Sequence, residues 1–132
     1  MIRQRGQSLV EFALVLPLLL FLLAGGTDLA RAYFVGIQVA DGARQAALYA
    51  SENGSTYTDA QLTEIAKSNA GGGGILGCPA ASVFVTAGSS TGGSVPYDQP
   101  VTVVCELPML TPLIPSPVAI RATAEVLIVP GA

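Results

Sequence analysis

Three kinds of hydrophobic patterning follow one another along the chain. Phe12 to Thr27 is a run of 16 uncharged residues, mostly Leu, Val, Phe and Ala. Counted from Gln7, the stretch to Thr27 is 21 residues with one charge, Glu11. A bilayer core takes about 20 apolar residues in a helix. This segment therefore predicts a membrane span if Glu11 lies near an edge or finds a partner. From Asp28 to Glu52 the pattern becomes helical and amphipathic. Leu29, Tyr33, Gly36, Ala40, Ala43, Ala47 and Ala50 recur at alternating spacings of four and three, one stripe of a helix. Asp28–Arg31 and Asp41–Arg44 are expected as i,i+3 ion pairs on its polar side. A small-residue stripe lets a partner backbone approach closely or a sheet rest on it. Gly36 and Gly42 each weaken the helix by about 1 kcal/mol, so packing must hold it. Asn53-Gly54 is a fitting stop. A single helix from Gln7 to Glu52 would be about 70 Å long, well over the roughly 30 Å of a bilayer core, so its second half must stand outside the membrane.

The third regime mixes short elements. Thr58-Asp59-Ala60-Gln61 reads as a capping box, with Thr58 as N-cap, opening a helix over Asp59–Asn69 that buries Leu62, Ile65 and Ala66. Gly71-Gly72-Gly73-Gly74 ends it; a phosphate-binding loop would need a strand before and a Lys after, so this is read as a connecting loop. Ser82–Ala87, Pro100–Glu106 and Ala119–Val129 read as strands, with a Gly/Ser loop over Gly88–Ser94. In the third strand Ile120, Ala122, Ala124, Val126 and Ile128 face one way, and Arg121, Thr123 and Glu125 the other. Pro108, Pro112, Pro115 and Pro117 keep 108–117 irregular. A small sheet with one apolar face needs a cover, and the Asp28–Glu52 helix supplies it. The expected fold class is α+β: a long N-terminal helix packed on a small antiparallel sheet of about three strands.

The N-terminus sharpens the reading. Arg3 and Arg5 precede the apolar run and no acid does, which places the N-terminus on the cytoplasmic side and the head outside. A cleaved signal peptide, with small residues at Ala24-Gly25-Gly26, an uncleaved anchor and a prepilin-type N-terminus compete. Glu11 separates them, because a carboxylate within an apolar segment costs about 2.5–3.5 kcal/mol on insertion scales and a signal peptide gains nothing from it. Pro17 removes one hydrogen bond inside the segment and is expected to kink or loosen the helix.

Gly6-Gln7-Ser8-Leu9-Val10-Glu11-Phe12 resembles the processing site of type IV pilin-like proteins. The continuation Ala13-Leu14-Val15-Leu16-Pro17, then Asp28 and Ala43-Arg44-Gln45-Ala46-Ala47, resembles the TadE-like pilus assembly proteins, minor pilin-like components of Tad pili. The resemblance implies cleavage by a prepilin peptidase between Gly6 and Gln7. It also implies a role for Glu11 in subunit register, its carboxylate pairing with the new amine of a neighbouring subunit. Pairing offsets most of the cost of a buried charge. The other reading of Glu11 is a hydrated carboxylate at headgroup level. The implied organisation is a leader over 1–6, a transmembrane half-helix over 7–27, an extracytoplasmic half-helix over 28–54 and an α+β head over 55–132.

Composition narrows the function further. Hydrophobic residues make up 51% of the chain and charged residues only 11%, against roughly 25% charged in an average soluble domain. The formal net charge is −3 and aromatics are 6% with no Trp, which argues against nucleic-acid binding. His is absent, and two cysteines alone cannot hold a structural zinc. No cofactor or metal is expected. Among the acids Asp59, Glu64, Asp98, Glu106 and Glu125, only Glu106 and Glu125 suggest a carboxylate pair on adjacent strands, and each reads better as a solvated strand residue. The expectation is a non-enzyme with no catalytic residues. If the head is extracytoplasmic, Cys78 and Cys105 are expected to form a disulfide.

The expected function is a bacterial TadE-like minor pilin or pseudopilin: a single-pass cell-membrane protein acting in pilus assembly and cell adhesion, or incorporated in an extracellular pilus. Its partners would be the membrane, other pilin-like subunits and a prepilin peptidase. The alternatives are a membrane-anchored or secreted extracytoplasmic binding domain, and a variant major pilin.

Overall fold

The computed structural model describes residues 6–53, 57–71, 77–87, 97–112 and 114–128. Helix α1 runs from Gln7 to Asn53, 47 residues, continuous through Pro17. Helix α2 spans Asp59–Ala70, a short 3-10 turn spans Ala80–Ser82, and strands β1 (Val83–Ala87), β2 (Tyr97–Leu107) and β3 (Val118–Ile128) follow. The strands form one antiparallel sheet in the order β1-β2-β3. This is the α+β arrangement expected, a long apolar helix with a three-stranded sheet.

Register gives the sheet a covered face and an open one. Val83, Val85 and Ala87 stand opposite Cys105, Val103 and Val101, and these in turn stand opposite Ile120, Ala122 and Ala124. Val101, Val103, Cys105 and Leu107 are fully buried. On the other face Thr102 and Thr123 join their hydroxyls at 2.9 Å, and Phe84 and Leu127 remain about half exposed. The second strand begins at Tyr97 rather than Pro100. Pairing with β1 ends at Ala87↔Val101, so β2 continues beside β3 alone, where a proline is tolerated on the unpaired side.

The covering layer is the second half of α1 together with α2. Val35, Val39, Ala43, Ala46, Ala47 and Ala50 of α1 join Leu62, Ala66 and Ala70 of α2 in one buried cluster with the sheet. Ile65 is only half buried, at the margin of this layer. The Thr58 hydroxyl accepts from the Gln61 N–H, and the Gln61 side chain accepts from the Thr58 N–H, which is the expected capping box.

The buried stripe of α1 differs from the one read off the sequence. Leu29 and Tyr33 are 70% and 74% exposed. The buried positions are Asp28, Arg31, Val35, Val39, Gly42 and Ala46, with Ala43, Ala47 and Ala50 beside them. Small and apolar residues occur on several faces of this helix, so periodicity alone does not select the face. Gly42 shows why this one is chosen. A Cβ there would lie 2.9 Å from the Ala66 carbonyl oxygen and 3.0 Å from the Ala70 Cβ. Only the missing side chain lets α2 cross so close. Gly36 has room, since a Cβ there would meet only Ile120 Cγ2, at 4.0 Å.

Residues 1–5 of the expected 1–6 leader, Gly54, the glycines from 72 to 74, the Gly88–Ser94 loop and Val129 lie outside the described residues.

Candidate assembly surface

The first half of α1 has no cover from its own chain. Leu9, Phe12, Leu14, Leu18, Phe21, Leu22 and Leu23 are all at least 58% exposed. The helix is long and apolar enough to cross a membrane, and none of its most apolar window is buried inside the protein. Exposure of this extent in water is a large unfavourable hydration term. An apolar surrounding is what this half of the helix requires, and α1 is a candidate membrane span.

The residues expected to act in processing and assembly sit at its start. Gly6 is exposed and precedes α1, its carbonyl accepting the Val10 N–H at 3.3 Å. Gln7 is the first helical residue, and its side-chain amide donates to Glu11 Oε1 at 3.3 Å. Glu11 is exposed one turn into the helix. The Gly6–Gln7 bond and the Glu11 carboxylate therefore share one end of α1, with the whole apolar run between them and the head.

Where the apolar run of α1 meets the head, a polar clamp is buried rather than turned to solvent as the sequence alone suggests. Asp28 and Arg31 do approach, at 3.9 Å, but they are buried, not on a solvated face. The Asp28 carboxylate accepts the N–H groups of Leu110 and Thr111, each at 3.0 Å, and also the Thr111 hydroxyl. Arg31 Nη1 donates to the Pro108 carbonyl at 3.2 Å. The segment between β2 and β3 is closed on itself by the Met109 N–H donating to Ser116 Oγ at 3.2 Å. The Thr111 hydroxyl and then the Leu110 N–H hold the Asp28 carboxyl below its ordinary value of 3.8; burial acts the other way, and the Thr111 N–H and Arg31 add to the lowering. No sequence signal links residue 28 to residues 110 and 111, because the partners are distant in the chain. The expected Asp41–Arg44 pair does not form among the described residues.

Cys78 and Cys105 are joined in a disulfide with their Cα atoms 6.1 Å apart. It fastens the segment that leads into β1 to the middle strand, inside the buried cluster. Glu106 and Glu125, weighed above as a carboxylate pair, are far apart. Glu106 stands opposite Ala119 and Glu125 opposite Pro100, six positions along the ladder, which is about 20 Å at 3.3 Å per residue. That separation excludes their acting on one substrate bond. Among the described residues no cluster of three metal-ligating side chains occurs.

No curated protein and no solved structure matches the chain. One family model does, that described as TadE-like protein, over residues 6–48. The match opens at Gly6, takes in Glu11, the apolar run and the Asp28–Arg31 clamp, and ends at Leu48 on the helix beneath the head. Residues 49–132 lie outside it. Over residues 6–48, about a third of its length, the chain is similar to the family described as TadE-like protein.

Proposed function

We propose that this protein is a minor pilin or pseudopilin of a Tad-type, type IV-like bacterial pilus, with a structural rather than an enzymatic role. The observation that carries the reading is the division of α1. Its first half is apolar and uncovered, its second half is the spine of a disulfide-linked head, and the TadE-like match runs across both.

In this reading a prepilin peptidase cuts between Gly6 and Gln7, at the exposed residue that precedes the helix. The leader, with Arg3 and Arg5, stays on the cytoplasmic side until then, and the head is extracytoplasmic. Cleavage frees the Gln7 amine. Glu11 then pairs with that amine on a neighbouring subunit, which compensates a carboxylate in an apolar surrounding and selects the axial register. The head, with 30 uncharged residues between Lys67 and Asp98 and 14 from Leu107 to Ile120, is suited to close neighbours.

The test is recruitment of Glu11→Ala into pili by cells that produce the other pilus components. The variant is expected in the membrane at normal level and lost from sheared pili. Normal incorporation would remove the register role.

A further inference from the structure

The β2–β3 connection, residues 108–117, has a direction along α1. Its first anchor is at Arg31, which holds the Pro108 carbonyl. Its next anchors are at Asp28, which holds the N–H groups of Leu110 and Thr111. A Cβ at Gly36 would meet Ile120, just past the loop, at 4.0 Å, while Leu110 and Thr111 are held at Asp28, so the loop lies toward the N-terminal end of α1. The Met109–Ser116 bond then closes the tip. The tip is the part of the head turned toward the apolar run. On the helix face that carries Asp28 and Arg31, burial already begins at Ala24, which is half buried while Leu20 is exposed.

The chemistry of this tip is unusual for a solvated loop. The stretch from Leu107 to Ile120 holds no charge and four prolines, which offer no N–H to water. Leu110 is 64% exposed and Ile114 37%. On the other faces of α1, within two turns of Asp28, Leu29, Tyr33 and Phe34 are exposed by 70%, 74% and 46%. The charged groups at the same level, Asp28 and Arg31, are turned inward, Asp28 being fully buried among its donors. A segment from Gln7 to Thr27 is about 31 Å long in a helix, the thickness of a bilayer core, so residue 28 stands at its edge. Tyrosine is enriched at that depth.

We propose that Leu110 and Ile114, with Leu29, Tyr33 and Phe34, form an apolar collar that seats the head on the lipid surface, at the boundary of acyl chains and headgroups. The Asp28 clamp holds the loop down against the bilayer and satisfies a carboxylate that water reaches poorly there. The head is then oriented against the membrane before it enters any assembly. This inference rests on the reading of α1 as a membrane anchor.

The test uses the full chain with its disulfide intact, reconstituted in phosphatidylcholine/phosphatidylglycerol vesicles. A polarity-sensitive fluorophore is attached in turn at Leu110→Cys, Ile114→Cys, Leu20→Cys and Leu127→Cys, the last at the far end of the sheet. Emission at 110 and 114 is expected to shift to the blue on reconstitution and to be quenched by lipids brominated near the headgroup. Position 20 should be quenched by lipids brominated deep in the chain, and position 127 by neither. Quenching at 20 with water-like emission at 110 and 114 would overturn the collar while leaving the anchor intact. Water-like emission at position 20 would overturn the anchor, and the collar with it.

Discussion

The Asp28 carboxylate accepts both the backbone N–H and the hydroxyl of Thr111, 83 residues further along the chain. This contact and its neighbour at Leu110 fix the head to α1 where the apolar run ends. A carboxyl held below its ordinary value of 3.8 stabilises the folded state fully above that value, and the contribution is lost as the pH falls through the folded value. The head in detergent micelles is therefore expected to lose stability as the pH drops below about 4. Asp28→Asn should melt at a lower temperature at pH 7, because an amide turned to donors leaves one of them unpaired. It should also show a shallower loss on acidification than the parent. Parallel acid limbs for the two proteins would contradict this role of Asp28.

Two glycines of the same helix should respond in opposite directions to the same substitution. Gly42→Ala places a methyl 2.9 Å from the Ala66 carbonyl oxygen, and forcing the two helices apart should cost about 1–3 kcal/mol. Gly36→Ala meets only Ile120 Cγ2 at 4.0 Å, so the gain in helix propensity, up to about 1 kcal/mol, should appear as added stability. Denaturant unfolding of the two variants measures both signs. Equal effects would contradict the close crossing of α1 and α2 at Gly42.

The Cys78–Cys105 bond closes a separation of 27 residues. On the chain-entropy account that is worth roughly 3.5 kcal/mol. The Cys78→Ser/Cys105→Ser double variant should unfold at correspondingly lower denaturant, and reductant should bring the parent protein to the same midpoint. An unchanged midpoint in reductant would show that the head does not depend on the bond.

Removal of the cap is a more local test. Thr58→Ala leaves the Gln61 N–H without its side-chain acceptor and should cost about 1 kcal/mol. A loss confined to α2, read by amide hydrogen exchange, is the expected pattern; a loss spread over β3 would indicate a wider role for this end of the helix.

What the sequence made legible follows the range of the interactions involved. The capping box at Thr58 and Gln61 is a contact within one turn, and it stands as read. Alternation in β3 reports one covered face, and the register keeps Ile120, Ala122 and Ala124 on it. The long-range relationships were not legible. Asp28 and Arg31 match an exposed i,i+3 pair equally well until Leu110, Thr111 and Pro108 arrive from the far end of the chain. Leu29 and Tyr33 fit the helical period but not the face that Gly42 opens to α2. The start of β2 was missed for a similar reason: a proline rules out a paired strand only where a neighbour needs its N–H, and β1 ends before that point.

N-terminal sequencing of the protein from membranes of cells with an active prepilin peptidase reads out whether α1 is the processed N-terminal helix of a pilin-like subunit. Gln7 is expected as the first residue there, and Gly6 is expected to be retained in cells lacking the peptidase. A mature protein that retains Gly6 in both strains, or begins at Thr27, would contradict this processing.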